Sequence, residues 1–361
     1  MDLSRRNILL AAALALAVAA GTFLLLRSDS HQVDEGGRAQ ATSPTNTART
    51  DTGPADKPAK RRKQGRERAR GPRGGGPRLT SFRGGGPLIG LADNVAGNIT
   101  DPRFRRSGIR RVRVAVPYDD VALGGGRRAY QDGWFKAARQ VGVEPLVSFY
   151  RSTRGTRILP SQAQFRRHVR RFRARYPWVR HFSTWNEANF RAQPTSRDPA
   201  RTAAFYRILR DECSGGRCTV VTCDFRPDGT ARSARWLETF KRGIGGGRHI
   251  WGLAPYVDVN RRSTRLTRDF LARTSGPVWA NEVGALNFFG KGVRPSLQRQ
   301  ARVMSFLVDD FARVSPRLER IYVYHWRAAA GNDLFDSGLL DSRGRPRPAY
   351  YRFLAAIGRR G

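Results

Sequence analysis

Two glutamates stand in local settings that could support acid–base and nucleophilic chemistry. Glu187 ends the segment STWNE at 183–187, and Glu282 lies in the segment VWANEVG at 278–284. Each carboxylate closes a short apolar run that predicts a buried strand, and loop-forming residues follow. Two strand-terminal carboxylates on one scaffold could cleave a glycosidic bond by double displacement, one as the acid/base and the other as the nucleophile.

Eight short apolar runs alternate with helical patterns from Pro87 onward. The runs are rich in β-branched residues and lack strict alternation, which is typical of strands covered on both faces. They lie at positions 88–92, 112–116, 145–149, 182–185, 219–222, 251–254, 278–280 and 321–324. Eight such βα units predict an α/β fold, a (β/α)8 TIM barrel spanning 87–361. The alternative is an open doubly wound sheet, which would usually show a Gly-rich phosphate loop after its first strand; Ala92-Asp93-Asn94 is not one.

The first 86 residues are predicted to lie outside this fold. Arg5 and Arg6 precede an apolar run over 7–26, a pattern typical of a twin-arginine export signal or of an uncleaved membrane anchor about 20 residues long. Both interpretations of 1–26 place the rest of the chain outside the cytoplasm, either secreted or anchored to the outer face of the membrane. Residues 27–86 are poor in apolar side chains, and we predict a disordered Gly/Pro/Arg-rich linker there.

The chain carries 67 Lys and Arg against 29 Asp and Glu, a formal net charge of +38. Two interpretations stay open: genome composition, or attraction toward anionic partners such as acidic glycans. We expect no specific nucleic-acid partner, because basic stripes interleaved with aromatic residues are missing.

The three cysteines predict one local crosslink. Cys213 and Cys218 flank the turn SGGR and could form a disulfide in an oxidising compartment. Cys223 is interpreted as a small buried hydrophobe. No His/Cys cluster has metal-site spacing, so we expect neither a metal nor a cofactor.

In barrels of this kind the active site lies at the carboxyl ends of the strands. The carboxylates, amides, guanidinium and aromatic rings at those ends suit a polyhydroxylated ligand. Besides the two glutamates, the candidate binding or supporting residues are Asp93, Arg113, Asp119, Tyr150, Asn186, Tyr256, Asn281 and Trp326.

Residues 87–361 resemble clan A glycoside hydrolases, and are similar to the (β/α)8 enzymes of families 5 and 39. The resemblance rests on Asn186-Glu187 at the fourth run, Glu282 at the seventh, Arg113 in the second, Tyr256 after the sixth and Trp326 after the eighth. It implies that Glu187 is the acid/base and Glu282 the nucleophile. It further implies that Arg113 and Tyr256 hold the nucleophile and that Asn186 binds the sugar 2-hydroxyl. The ring of Trp326 is implied to form the floor of the site.

A retaining mechanism on a carbohydrate substrate follows from the resemblance, with carboxyl groups about 5–5.5 Å apart. Two positions depart from the family pattern, since Ala254 stands where a His is frequent and Asn281 where Thr or Ser is frequent. Two other functions stay open: a carbohydrate-binding surface protein with a decayed site, and a basic adhesion or nucleic-acid-binding module.

Overall fold

The computed structural model describes residues 85–216, 218–331 and 334–358. The predicted leader at 1–26 and positions 27–84 of the predicted linker lie outside the described residues.

Eight parallel strands close into one barrel, in which each strand pairs with the next along the chain and the last pairs with the first. The barrel strands are β1 (Leu88–Ala92), β2 (Arg111–Pro117), β3 (Glu144–Tyr150), β4 (His181–Ser183), β5 (Thr219–Phe225), β6 (Ile250–Leu253), β7 (Val278–Val283) and β9 (Leu318–Tyr324). A separate antiparallel pair, β8 (Phe288–Phe289) and β10 (Phe335–Asp336), lies in the loops after β7 and β9. The predicted (β/α)8 barrel is confirmed, and every predicted run falls on a barrel strand.

Helices fill the connections between the strands. They are α1 (Ala96–Thr100), α2 (Pro102–Ser107), α3 (Asp120–Leu123), α4 (Gly125–Val141), α5 (Gln162–Arg175), α6 (Pro199–Glu212), α7 (Ala231–Ile244), α8 (Tyr256–Asn260), α9 (Arg265–Arg273), α10 (Leu297–Asp309) and α11 (Pro348–Ala356). The start of α6 follows from its sequence, because Asp198 accepts a hydrogen bond from the Arg201 amide at 2.7 Å and proline fills the first helical position. Among the described residues, no helix has both the length and the apolar character needed to cross a membrane.

An aromatic cluster packs α5 and α6 against the barrel beside β4. The rings of Phe165 and Phe205 stack with centroids 4.4 Å apart, and Trp185 lies against both at 6.3 and 5.7 Å. Trp185 is fully buried and precedes Asn186 and Glu187 by one and two residues. The cluster therefore fixes the chain where it leaves β4.

The carboxyl ends of three strands lie two or three residues away from the ends of the predicted runs. β4 ends at Ser183, two residues earlier than expected, whereas β5 continues to Phe225 and β7 to Val283. Glu282 therefore lies within a strand, and so does Asp224, while Glu187 sits on a turn. Away from this region, Cys213 and Cys218 are joined by a disulfide at the end of α6, and Cys223 is a buried free thiol.

Candidate active site

Glu282 is held by two different partners, one on each carboxylate oxygen. Its Oε2 forms an ion pair with Nη1 of Arg113, which reaches across from β2. The hydroxyl of Tyr256 donates to its Oε1 at 3.0 Å. Only 5% of Glu282 is exposed. Two anchors from separate elements leave the carboxylate a single orientation at the mouth of the barrel.

Arg113 connects four strands through its guanidinium. Besides the bond to Glu282, its Nη2 donates to Oδ2 of Asp224 at 2.8 Å and to Oδ1 of Asn186, and its Nε donates to Oγ of Ser148 at 3.0 Å. A buried arginine keeps its charge when acceptors surround it in this way. The same cation therefore orients Glu282 and the amide that precedes Glu187.

Asp224 sits beneath this network as a fully buried acceptor. The Ser148 hydroxyl donates to its Oδ2 at 3.0 Å, and Nδ2 of Asn281 donates to its Oδ1 at 2.6 Å, as does the hydroxyl of Ser183. Gly252 makes this possible, because a Cβ there would lie 2.9 Å from Nδ2 of Asn281 and 3.0 Å from Oδ1 of Asp224. Asn281 therefore takes part in the network as a hydrogen-bond donor to Asp224.

Glu187 is presented by an unusual backbone conformation. Its φ is +43°, in the left-handed region that costs an L-residue roughly 1–2 kcal/mol. Hydrogen bonds on both sides hold the turn: the Asn186 amide donates to the Phe149 carbonyl at 2.7 Å, and the Ala188 amide donates to the Asp224 carbonyl at 3.1 Å. Strain of this kind at a carboxylate in a barrel mouth is typical of a functional position.

The two carboxyl groups have different electrostatic surroundings. Burial raises the pKa of Glu187 to about 7, against the opposing charge of Arg226 and with support from the charge of Glu282. Oε1 of Glu187 accepts no hydrogen bond from the described residues. Burial also raises the pKa of Glu282, but Arg113 and the Tyr256 hydroxyl act against that increase. The surroundings therefore favour a protonated Glu187 beside an ionised Glu282.

Tyr150 lies near both glutamates. Burial raises the pKa of its phenol, and the negative charges of Glu187 and Glu282 raise it further. Arg151 covers the ring, with its guanidinium carbon 5.2 Å from the ring centroid. The structure thus brings together Glu187, Glu282, Arg113, Asn186, Tyr150, Tyr256 and Asn281 from the sequence-predicted set.

Two predicted carboxylates hold loops through hydrogen bonds. Both oxygens of Asp93 are occupied: the amides of Val95 and Trp326 donate at 2.9 Å, and the Asn98 amide group bonds both oxygens. Asp119 is fully buried and accepts from Ser152 at 2.8 Å. Asp93 therefore has the supporting one of its two predicted roles, whereas Oδ1 of Asp119 accepts no hydrogen bond from the described residues and the role of Asp119 stays a prediction.

The predicted role of Trp326 as the floor of the site stays a prediction, and the contacts of its ring favour a role in packing. Its side chain is fully buried and packs edge-on against Phe104 of α2 and Tyr350 of α11, with ring centroids 5.6 Å away in both cases. The alternation of inward residues ends with β9 at Tyr324, so a residue two positions later need not point inward. Tyr324 is the aromatic residue of β9 beside the site, and burial and the charge of Glu282 raise its pKa.

Arg226 was not identified from the sequence. It follows β5 directly, is 3% exposed, and places Nη1 3.9 Å from Oε1 of Glu187. In a chain with 67 basic residues, nothing in the local sequence distinguishes it from a surface arginine. The central role of Asp224, two residues earlier, likewise depends on contacts with four other strands.

Within the residues that the structure describes, no group of three or more His, Cys, Asp or Glu could hold a metal ion.

Comparisons with known proteins agree on the fold. No protein-family model matches the chain, and no curated protein does. Among solved structures, an endo-1,4-β-xylanase from Caldicellulosiruptor owensensis matches with a TM-score of 0.55 and 12% identity over 74% of this chain and 96% of its own. A Penicillium canescens endo-1,4-β-xylanase matches with a TM-score of 0.54 and 12% identity, over 76% of this chain and 95% of its own. A GH113 β-1,4-mannanase matches with a TM-score of 0.50 and 12% identity, over 76% of this chain and 98% of its own. At these identities the likeness concerns the fold alone: the chain shares the (β/α)8 barrel with these glycoside hydrolases, and nothing singles out families 5 or 39.

Proposed function

We propose that the protein is a retaining glycoside hydrolase with Glu282 as nucleophile and Glu187 as acid/base. The observation that carries the proposal is the contrast between the two carboxyl groups. Glu282 is fixed by Arg113 and Tyr256, whereas Glu187 has an oxygen without a hydrogen bond and a pKa raised to about 7. One group is held for attack and the other is ready to exchange a proton.

The reaction proceeds in two displacements. Glu282 attacks the anomeric carbon while Glu187 gives its proton to the departing oxygen, so that a covalent glycosyl–enzyme ester forms and the leaving sugar is released as an alcohol. Glu187, now ionised, removes a proton from water, which attacks the same carbon and restores Glu282. The NH2 group of Asn186 would donate to the sugar 2-hydroxyl, a role supported by the use of its carbonyl oxygen as the acceptor for Arg113. A retaining pair requires the two carboxyl groups to be about 5–5.5 Å apart.

The substrate is proposed to be a polysaccharide or oligosaccharide met outside the cytoplasm. The xylanases and the mannanase among the similar folds favour a glycan. The basic segment and apolar run at 1–26 favour export, whether the segment is cleaved or stays as an anchor.

The test is a glycan and aryl-glycoside screen with parent protein, Glu282→Ala and Glu187→Ala. We expect turnover to fall by at least about 10⁴-fold in Glu282→Ala while sugar binding remains. Glu187→Ala should lose about 10²–10⁴-fold on natural linkages and much less on aryl glycosides with good leaving groups. Glu238→Ala, a partly exposed glutamate of α7 paired with Lys241 and Arg273, serves as the control.

The stereochemistry of the first-formed product decides the mechanism. NMR of a running reaction should show the anomer of the substrate, and a 2-fluoro glycoside should label Glu282 in a peptide map. An inverted product would contradict the retaining assignment. Sugar binding by a parent protein without turnover would instead favour the alternative, a non-catalytic carbohydrate-binding protein on the same barrel.

A further inference from the structure

The guanidinium of Arg226 is buried in the mouth of the barrel with unused hydrogen-bond donors. Its Nε and Nη1 find no acceptor among the described residues, although the residue is only 3% exposed. Buried donors without acceptors are uncommon, because each one has lost its water. Such an arginine is typical of a position completed by a ligand.

The position of Arg226 is fixed by its surroundings. Its amide donates to Oδ1 of Asn189 at 2.8 Å, and its carbonyl accepts from Nδ2 of the same side chain at 2.7 Å. The guanidinium lies over the ring of Phe190, with its carbon 4.7 Å from the ring centroid. A cation clamped at the backbone and stacked on an aromatic face is pre-organised, so it can bind a ligand without first losing side-chain freedom.

The charge of Arg226 has one counterpart within the described part of the chain, and that counterpart changes during catalysis. The partner is Glu187, 3.9 Å away, with which no hydrogen bond is formed. Glu187 must carry a proton when it acts as an acid, and Arg226 then faces no negative charge. The other carboxylates of the mouth, Asp224 and Glu282, are bound to Arg113. A buried cation without a partner is unfavourable.

A second cation lies on the same side of the mouth. Arg151 covers the ring of Tyr150, whose phenol is close enough to Glu187 to be affected by its charge. Arg151, directly after β3, is 6% exposed and donates to the Ala192 carbonyl at 3.1 Å, which ties it to the loop after β4. Arg226 beside Glu187 and Arg151 over the ring of Tyr150 are both buried cations, and together they give this part of the site a positive potential.

We propose that Arg226 binds an acidic group, a carboxylate or a sulfate, on the sugar that lies on the leaving-group side of the scissile bond. The assignment of that side rests on the proposed function, because Glu187 must stand beside the departing oxygen. Acidic glycans are therefore the preferred ligands, and Arg226 determines that preference.

Binding is measured by calorimetry in a Glu282→Gln background, which keeps the side-chain shape and leaves the ligand intact. The probes are a glucuronate-bearing xylo-oligosaccharide, its carboxyl-reduced form and a sulfated xylo-oligosaccharide. At least one acidic probe should bind about tenfold more tightly than the neutral one. The two acidic probes distinguish a carboxylate ligand from a sulfate ligand.

Arg226→Gln should reduce that preference to below about twofold while neutral binding changes little, and Arg226→Lys should keep part of it. Arg235→Gln, on the exposed face of α7, removes the same charge and should leave the preference intact. Equal binding of all three probes, no binding of either acidic probe, or a full preference in Arg226→Gln would each overturn the proposal.

Failure of this proposal and failure of the proposed function give different results. Glycoside turnover without an acidic preference leaves the hydrolase assignment standing and removes the role of Arg226. An Arg226-dependent preference for acidic probes in a protein without turnover keeps the role of Arg226 and removes the hydrolase assignment.

Discussion

At the scale of single residues, the two glutamates differ through their partners rather than through their burial. Glu187 and Glu282 are 1% and 5% exposed, so removal from water raises the pKa of both. Glu282 receives an ion pair and a hydrogen bond, and Glu187 receives only a cation at 3.9 Å. One guanidinium, Arg113, therefore supports ionisation, while Arg226 stands too far from Glu187 to enforce it.

This arrangement predicts a bell-shaped dependence of kcat/KM on pH. The basic limb should fall as pH rises through about 7, because Glu187 must be protonated in the first step. The acid limb reflects ionisation of Glu282, and both apparent pKa values belong to the interacting pair. Arg226→Gln removes the cation that lowers the pKa of Glu187, so the basic limb should move to higher pH.

The measurement is kcat/KM on an uncharged aryl glycoside across the pH range, so that the substrate does not titrate. Arg235→Gln serves as the control and should keep the parent profile. A basic limb that stays in place or moves to lower pH in Arg226→Gln would contradict the electrostatic role given to this arginine.

The sequence allowed some of these residues to be placed and not others, for a physical reason. Arg113 and Glu282 stand in strands, and Glu187 and Tyr256 stand in the loops that follow strands. Parallel barrel strands bring the residues at their carboxyl ends to one mouth. Arg226 owes its role to burial against Phe190, which is a tertiary contact without local signal.

At the scale of elements, the end of β9 shows that side-chain alternation predicts orientation only within a strand. Tyr322 and Tyr324 belong to one buried cluster and Val323 to another, as alternation predicts. The strand ends at Tyr324, and the side chain of Trp326 packs between α2 and α11. The strand positions were predictable, whereas strand lengths depend on contacts with neighbouring elements.

Trp326 is therefore predicted to contribute to stability rather than to sugar binding. Trp326→Phe should lower the free energy of unfolding by about 2 kcal/mol, because it removes part of a fully buried ring and leaves a cavity. The value of KM should stay within about twofold of the parent. Urea unfolding and steady-state kinetics check the two statements.

Tyr351→Phe is a suitable control for that measurement, because Tyr351 is about half exposed on the same helix as Tyr350. It should change neither quantity by much. A several-fold rise of KM in Trp326→Phe with unchanged stability would restore the sugar-stacking role that the resemblance implied.

At the scale of the whole molecule, the positive charge is of two kinds, the overall net charge of the chain and the buried arginines at the mouth of the barrel. The net charge of +38 creates a long-range field that attracts any polyanion. Arg226 and Arg151 are buried at the mouth and act at short range. Salt distinguishes the two, because exposed charges are screened over about 10 Å at 0.1 M ionic strength and buried groups much less.

We therefore predict that salt weakens general binding strongly and changes site-specific selectivity little. Affinity for a short DNA duplex should fall by orders of magnitude between about 50 and 500 mM NaCl, equally in parent protein and Arg226→Gln, because released counterions drive that binding. The ratio of acidic to neutral oligosaccharide affinity should change by less than about threefold over the same range. Fluorescence anisotropy for DNA and calorimetry for the sugars measure the two. If the acidic preference instead disappears in parallel with DNA binding, the preference comes from the surface field, and the buried arginines do not select the substrate.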